Sequence, residues 1–279
     1  MSKHTSISET AMAVASLRAL SNYEEDDQFK CNDIYAELFL PNEKRKALKD
    51  NQIRDLIKKA IPKGMYAYVI SRTKYFDSIF LDALKRGIDQ IVILGAGFDS
   101  RPYRFNELLN NTRIFEVDTK ATQKLKKSLL KNKTHSGKNM EYVTHNFEDD
   151  SLFDKLQKFG YNPSDKTLFL WEGVTFYLTK EAVVNMLKNI KQYSTDGSMI
   201  CFDFQTMKRM EELINTGLKD ESVKFGIAED KINDFITSNG YKIVEHLNAK
   251  EIEQKFMQKR DGSLFGEIAP IMNFIFIVH

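Results

Sequence analysis

At 279 residues, with 42% hydrophobic and 29% charged side chains, the chain can bury most of its apolar surface without disulfides or a structural metal. Its 41 Lys and Arg stand against 39 Asp and Glu, and a net charge of only +2 argues against nucleic acid as a partner. Cys31 and Cys201 lie far apart and the histidines form neither H-x-H nor H-E-x-x-H, so no metal is expected and a reducing, cytoplasmic compartment is.

Ser8 or Thr10 can cap a first helix running to Leu20. Its apolar run, Ala11 to Leu17, is too short to span a membrane, lacks the basic start of a signal peptide, and is bracketed by Glu9 and Arg18. Asp33 to Leu40 is a short second segment stopped by Pro41, and Lys44 to Ala60 has the pattern of one charged helix. Met65 to Arg86 follows as a helix closed by Gly87. These helices, roughly residues 1–88, precede the first strong strand and read as an N-terminal helical addition or cap on a core of 89–279, the whole forming one domain. From Ile91 the chain alternates. Strands are expected at Ile91–Leu94, Arg113–Val117, Met140–Thr144, Thr167–Trp171, Ser198–Phe204, Tyr241–Leu247 and Asn273–Val278, with helices at Thr119–Leu130, Lys180–Tyr193 and Ala228–Asn239. This is the grammar of an α/β, doubly wound, Rossmann-like sheet of seven strands. With no full crossover helix between the last two strands, they are expected as an antiparallel pair.

The first strand runs into Gly95-Ala96-Gly97-Phe98-Asp99-Ser100-Arg101-Pro102, and the second ends in Asp118. The two glycines allow a sharp turn and close approach of backbone to a ligand, and Asp118 is placed to take a pair of ribose hydroxyls. A dinucleotide would set its pyrophosphate on the following helix N-terminus. Here Asp99 occupies that point and Ser100 replaces the third glycine. A carboxylate opposes a pyrophosphate but tolerates an ammonium and a sulfonium, which favours S-adenosylmethionine over NAD.

The Gly95–Arg101 loop, Phe115-Glu116-Val117-Asp118, and Trp171-Glu172-Gly173 through Tyr177-Leu178 resemble the leucine carboxyl methyltransferase family and its bacterial relatives. Ser6 to Leu20 is similar to the family's first helix, and Arg72 stands where the family has an arginine. The resemblance runs from about Ser6 to Phe204. It implies a class I methyltransferase fold, S-adenosylmethionine as cofactor, and roles for single residues. Arg72 would pair with the cofactor's carboxylate, Gly95, Ala96 and Gly97 would meet it through the backbone, Asp118 would hold the ribose, and Glu172 would face the amino group. Tyr177, with Arg72, would stand nearest the acceptor. The family's Asp-Leu after the third strand is replaced by Asn146-Phe147, so Asn146, or Asp149, would take the adenine amino group and Phe147 would cover the ring.

The resulting expectation is an O-methyltransferase acting on a small-molecule carboxylic acid or hydroxyl. A carboxylate is already ionised and needs orientation only, whereas a hydroxyl needs a base, and His145 is the sole histidine near the carboxyl end of a strand. The segment Asn248 to Ile271 and the N-terminal helices would shape the acceptor pocket. A non-catalytic cofactor-binding protein and an NAD(P)-linked oxidoreductase are the alternatives.

Overall fold

The computed structural model describes residues 9–131, 139–147, 151–207 and 223–279. Strand β1 (Gln90–Leu94) is buried at every position, which is why its sequence runs apolar without alternation. The other strands are β2 (Arg113–Asp118), β3 (Met140–Thr144), β4 (Thr167–Trp171), β5 (Met199–Gln205), β6 (Lys242–Leu247) and β7 (Met272–Val278). Among the described residues they form one sheet in the order β3-β2-β1-β4-β5-β7-β6. β1 to β5 are parallel, while β7 inserts between β5 and β6, antiparallel to both. The expected antiparallel ending is present, and β7 adds to it a second antiparallel contact along β5.

The helices are α1 (Glu9–Ser21), α2 (Asn42–Ala47), α3 (Asn51–Ala60), α4 (Met65–Lys85), α5 (Arg101–Arg104), α6 (Lys120–Leu130), α7 (Leu152–Lys158), α8 (Lys180–Gln192), α9 (Ile232–Ser238) and α10 (Ala249–Phe256). Two expectations need correction. The single helix Lys44–Ala60 is two, because Asp50 leaves helical geometry to cap Ile53 N with its carboxylate. Asp33–Leu40 forms only a 3-10 turn at Ala36–Phe39. Thr10 lies inside α1, so it is not the cap, and Ser8 falls outside the described residues. Helices α7 and α10 were not foreseen. Asn248 starts α10 with a reciprocal capping box to Glu251, a pairing readable in the sequence as an Asn three residues before a Glu.

Burial divides the sheet's two faces. On one, Tyr75, Phe76 and Phe80 of α4 pack with Ile91, Ile93, Leu168, Leu170 and Phe274. On the other, Val92, Leu94, Phe169, Trp171, Phe202 and Ile275 meet α7, α8 and α9. By its place in the chain α4 belongs to the N-terminal addition, but it packs as a layer of the sheet. Helix α1 sits further out, in a third cluster where Ala15, Ala19 and Phe39 contact Phe98 and Tyr103 beside the glycine loop. No described helix is long and apolar enough to cross a membrane.

Phe274 is fully buried, with Tyr75 stacked on it at 5.1 Å and Tyr68 and Phe76 around it. Truncation there removes a large buried area and leaves a cavity that rigid neighbours fill poorly. Phe274→Ala is expected to cost about 3–5 kcal/mol, read as a lower urea midpoint at unchanged slope.

Candidate active site

The strand order reverses between β1 and β4, and the carboxyl ends of β1, β2, β4 and β5 open there onto a cavity of about 370 Å³. That is where an open α/β sheet binds its ligands, and the size suits a small molecule. The loop after β1 approaches closely because it is glycine. Gly95 has φ +68°, and a Cβ on it would lie 2.5 Å from the Val174 side chain. Gly97 N donates to Asp118 Oδ2 at 2.6 Å, and Thr119 N to Asp118 Oδ1 at 2.6 Å. These bonds fix the carboxylate and leave each oxygen a further lone pair for a ligand hydroxyl. Burial raises the Asp118 carboxyl above its usual value despite those bonds.

Below the loop lies a chain of buried ion pairs. Arg72 of α4 reaches Glu172 Oε1 at 3.0 Å and Asp203 Oδ2 at 3.1 Å. Arg101 reaches Glu172 Oε2 at 2.8 Å and Asp77 Oδ1 at 2.8 Å, and also pairs with Asp99. Arg104 forks onto both oxygens of Asp77, and Arg18 pairs with Asp33 at 3.0 Å while donating to Phe98 O at 2.6 Å. Asp203 further accepts from Gly173 N at 2.7 Å and from the Tyr68 hydroxyl. Gly173, at φ +71°, lets the Arg72 guanidinium lie against the backbone, since a Cβ there would come within 3.0 Å of it. Burial alone would raise Asp99 and Glu172, but Arg101 beside both, with Arg72 beside Glu172, holds them below the usual carboxylate range. For Asp203 burial prevails over Arg72, and its carboxyl is raised.

Of the residues expected from the sequence, Arg72, Gly95, Ala96, Gly97, Asp118, Phe147, Glu172 and Tyr177 all line this cavity. Asn146 does not; it is half-buried beside it, and Asp149 lies outside the described residues. His145 is buried with its Nδ1 3.4 Å from Lys155 Nζ, and it does not line the cavity. Asp99 faces the cavity but is occupied with Arg101, through the backbone N–H at 2.7 Å and the guanidinium. Sequence reasoning passed over Arg101, Tyr68, Asp203 and Gln205. For Asp203 and Gln205 a signal existed: polar residues in a strand otherwise reading as buried need partners or a purpose. Cys31 and Cys201 are buried free thiols, and the described residues contain no cluster of side chains arranged for a metal ion.

A sequence model of the family described as leucine carboxyl methyltransferase matches residues 11–191. YktD of Bacillus subtilis, named as an S-adenosyl-L-methionine-dependent methyltransferase, is 32% identical over 70% of this chain and 67% of its own. FRAAL3836 of Frankia alni, similarly named, is 27% identical over 91% of this chain and 90% of its own. Among solved structures, a DUF574 family protein from Streptomyces avermitilis superposes with a TM-score of 0.62 at 12% identity, covering 95% of this chain and 96% of its own. A protein from Thermobifida fusca named as a methyltransferase gives 0.57 at 13% identity, covering 95% and 93%. The fold is the Rossmann-like one of class I methyltransferases.

Arg101 is the hub of the ion pairs, so Arg101→Met should strand Asp77, Asp99 and Glu172 and cost about 3–5 kcal/mol near neutral pH. The folded-state pKa values of Asp99 and Glu172 are depressed. The stability they contribute is therefore present above their ordinary values of 3.8 and 4.5 and is lost as pH falls through the folded ones. Without Arg101 that contribution disappears, so the gap between parent and variant in urea unfolding should narrow as pH falls below about 4.

Proposed function

Since the chain belongs to the leucine carboxyl methyltransferase family, we propose that it is an O-methyltransferase that methylates a small-molecule carboxylic acid, with S-adenosyl-L-methionine as its methyl donor. The observation that carries this reading is the cavity at the switch point, where a glycine cradle, a fixed carboxylate on β2 and an arginine–glutamate pair converge.

The residues fit the cofactor. Gly95 and Gly97 bring the loop backbone to the cavity at positive φ, with Val174 and Ala11 packed where their Cβ atoms would stand, and Asp118 has the lone pairs for two ribose hydroxyls. Phe147 offers an apolar face for the adenine. Arg72 and Glu172 present one positive and one negative group to the zwitterionic amino-acid end, already balanced against each other by the buried pairs. When bound, S-adenosyl-L-methionine supplies an electrophilic methyl group on a sulfonium.

For the rest, the protein must orient an oxygen, exclude water and hold its geometry, which is a proximity task. The walls contributed by Val14, Met65, Phe176, Val223 and Met272 are apolar and shed water. Tyr177, following Phe176 in a 3-10 turn after β4, places a phenol at the same wall, where it can hold the acceptor carboxylate. Among the described residues no histidine lines the cavity, and Glu172 and Asp203 are committed to arginines. An acceptor that arrives ionised suits this site better than an alcohol that must lose a proton.

Calorimetric titration with S-adenosyl-L-methionine and with NAD is the direct test, with micromolar binding of the former alone as the expected result. Binding of NAD alone would overturn the reading. Asp118→Ala should weaken S-adenosyl-L-methionine binding at least tenfold, about 1.4 kcal/mol, while keeping the parent's circular dichroism. An unchanged affinity in that folded variant would remove Asp118 from the ribose.

A further inference from the structure

Strand β5 alternates between the two faces of the sheet. Ile200, Phe202 and Phe204 enter the apolar cluster under α8 and α9, so Cys201, Asp203 and Gln205 turn toward α4. Asp203 uses that position to hold Tyr68 and Arg72. Gln205, two residues nearer the carboxyl end, lines the cavity and is only 7% exposed. Its backbone is spoken for, with the carbonyl accepting from Ile227 N at 3.0 Å. No side-chain hydrogen bond joins its carboxamide to a described residue, and neither polar atom is among the fully buried ones left without a partner, so the amide opens onto the cavity.

Position gives the amide a purpose. Apart from Arg72 on α4, the groups fitted to the cofactor follow β1, β2, β3 and β4, whereas Gln205 sits at the end of β5, beyond β4. Phe176, Val223 and Met272 line the cavity with it. Among the described residues, the cations that line the cavity are already paired: Arg18 with Asp33, Arg72 with Glu172 and Asp203, and Lys63 with Glu267. From the described residues, an oxygen entering this part of the cavity therefore meets a neutral donor beside apolar side chains.

We propose that Gln205 is an acceptor-binding residue, beside Tyr177. Its Nε2–H donates to one oxygen of the carboxylate of a predominantly apolar acid, leaving the other oxygen directed at the methyl donor. The assignment rests on the methyltransferase reading and adds to it the acceptor class, an apolar carboxylic acid, and the residue that selects it.

Gln205→Met keeps the side chain's length and removes both polar atoms. The ligand-free variant should keep the parent's circular dichroism. Its affinity for S-adenosyl-L-methionine should stay within twofold. With decanoic acid and para-hexylphenol as probes and labelled methyl donor, the parent should methylate decanoic acid, and the variant should show at least a tenfold higher KM for it. An unchanged KM in that folded variant overturns the assignment. So does turnover of para-hexylphenol alone, or of neither probe, which removes the acid as acceptor class. Failure of the parent to bind S-adenosyl-L-methionine would instead overturn the methyltransferase reading.

Discussion

Arg101 lies buried at 2% exposure between three carboxylates, Asp77, Asp99 and Glu172, and much of the site's geometry follows from that placement. Asp77 comes from α4, Asp99 from the glycine loop, and Glu172 from just beyond β4. One guanidinium thus ties the helix on the sheet's face to two of the loops that shape the cavity. Arg72 extends the chain to Asp203 on β5, and Arg104, Asp33 and Arg18 extend it outward to α1. Buried ion pairs of this kind return little net stability, because desolvation consumes much of the Coulombic gain. Their value here is positional. Each arginine has a fixed fork of donors, so each carboxylate can satisfy its partners only with its own strand or loop in place.

That arrangement bears on the ligand as well. Arg72 and Glu172 meet the cavity as partners in a network, with compensating charges on the protein side. Replacing part of that pairing by a ligand's carboxylate and ammonium exchanges one set of ion pairs for another, so a zwitterion suits the site better than a net charge. Asp99 shows the same principle in the loop itself. The sequence places its charge at the start of a helix, and the structure commits it to Arg101, through the backbone N–H and the guanidinium. The described contacts of α1 with the glycine loop, through Ala11 against Gly97 and Arg18 on Phe98 O, make the N-terminal helices a wall of the cavity.

The sequence by itself determined the parallel core and the cradle. Continuous apolar runs such as Ile91–Leu94 and Thr167–Trp171 report burial on both faces, and glycine followed by a strand-end acid is local chemistry that survives without knowledge of the rest. Hence Gly95, Gly97 and Asp118 could be placed in advance, and the structure brings them together at the cavity. Local signals also misled where a short polar residue competed with the helix: Asp50 broke a charged stretch that periodicity alone read as continuous. What only the tertiary structure decided was partnership. That Arg72 shares Glu172 with Arg101, that Asp203 holds Tyr68, that Asn146 stands off the cavity wall and that Gln205 lines it all depend on contacts between elements distant in the chain. Hydrogen bonds and ion pairs of this kind are set by strand order and register, which no periodicity in the sequence encodes.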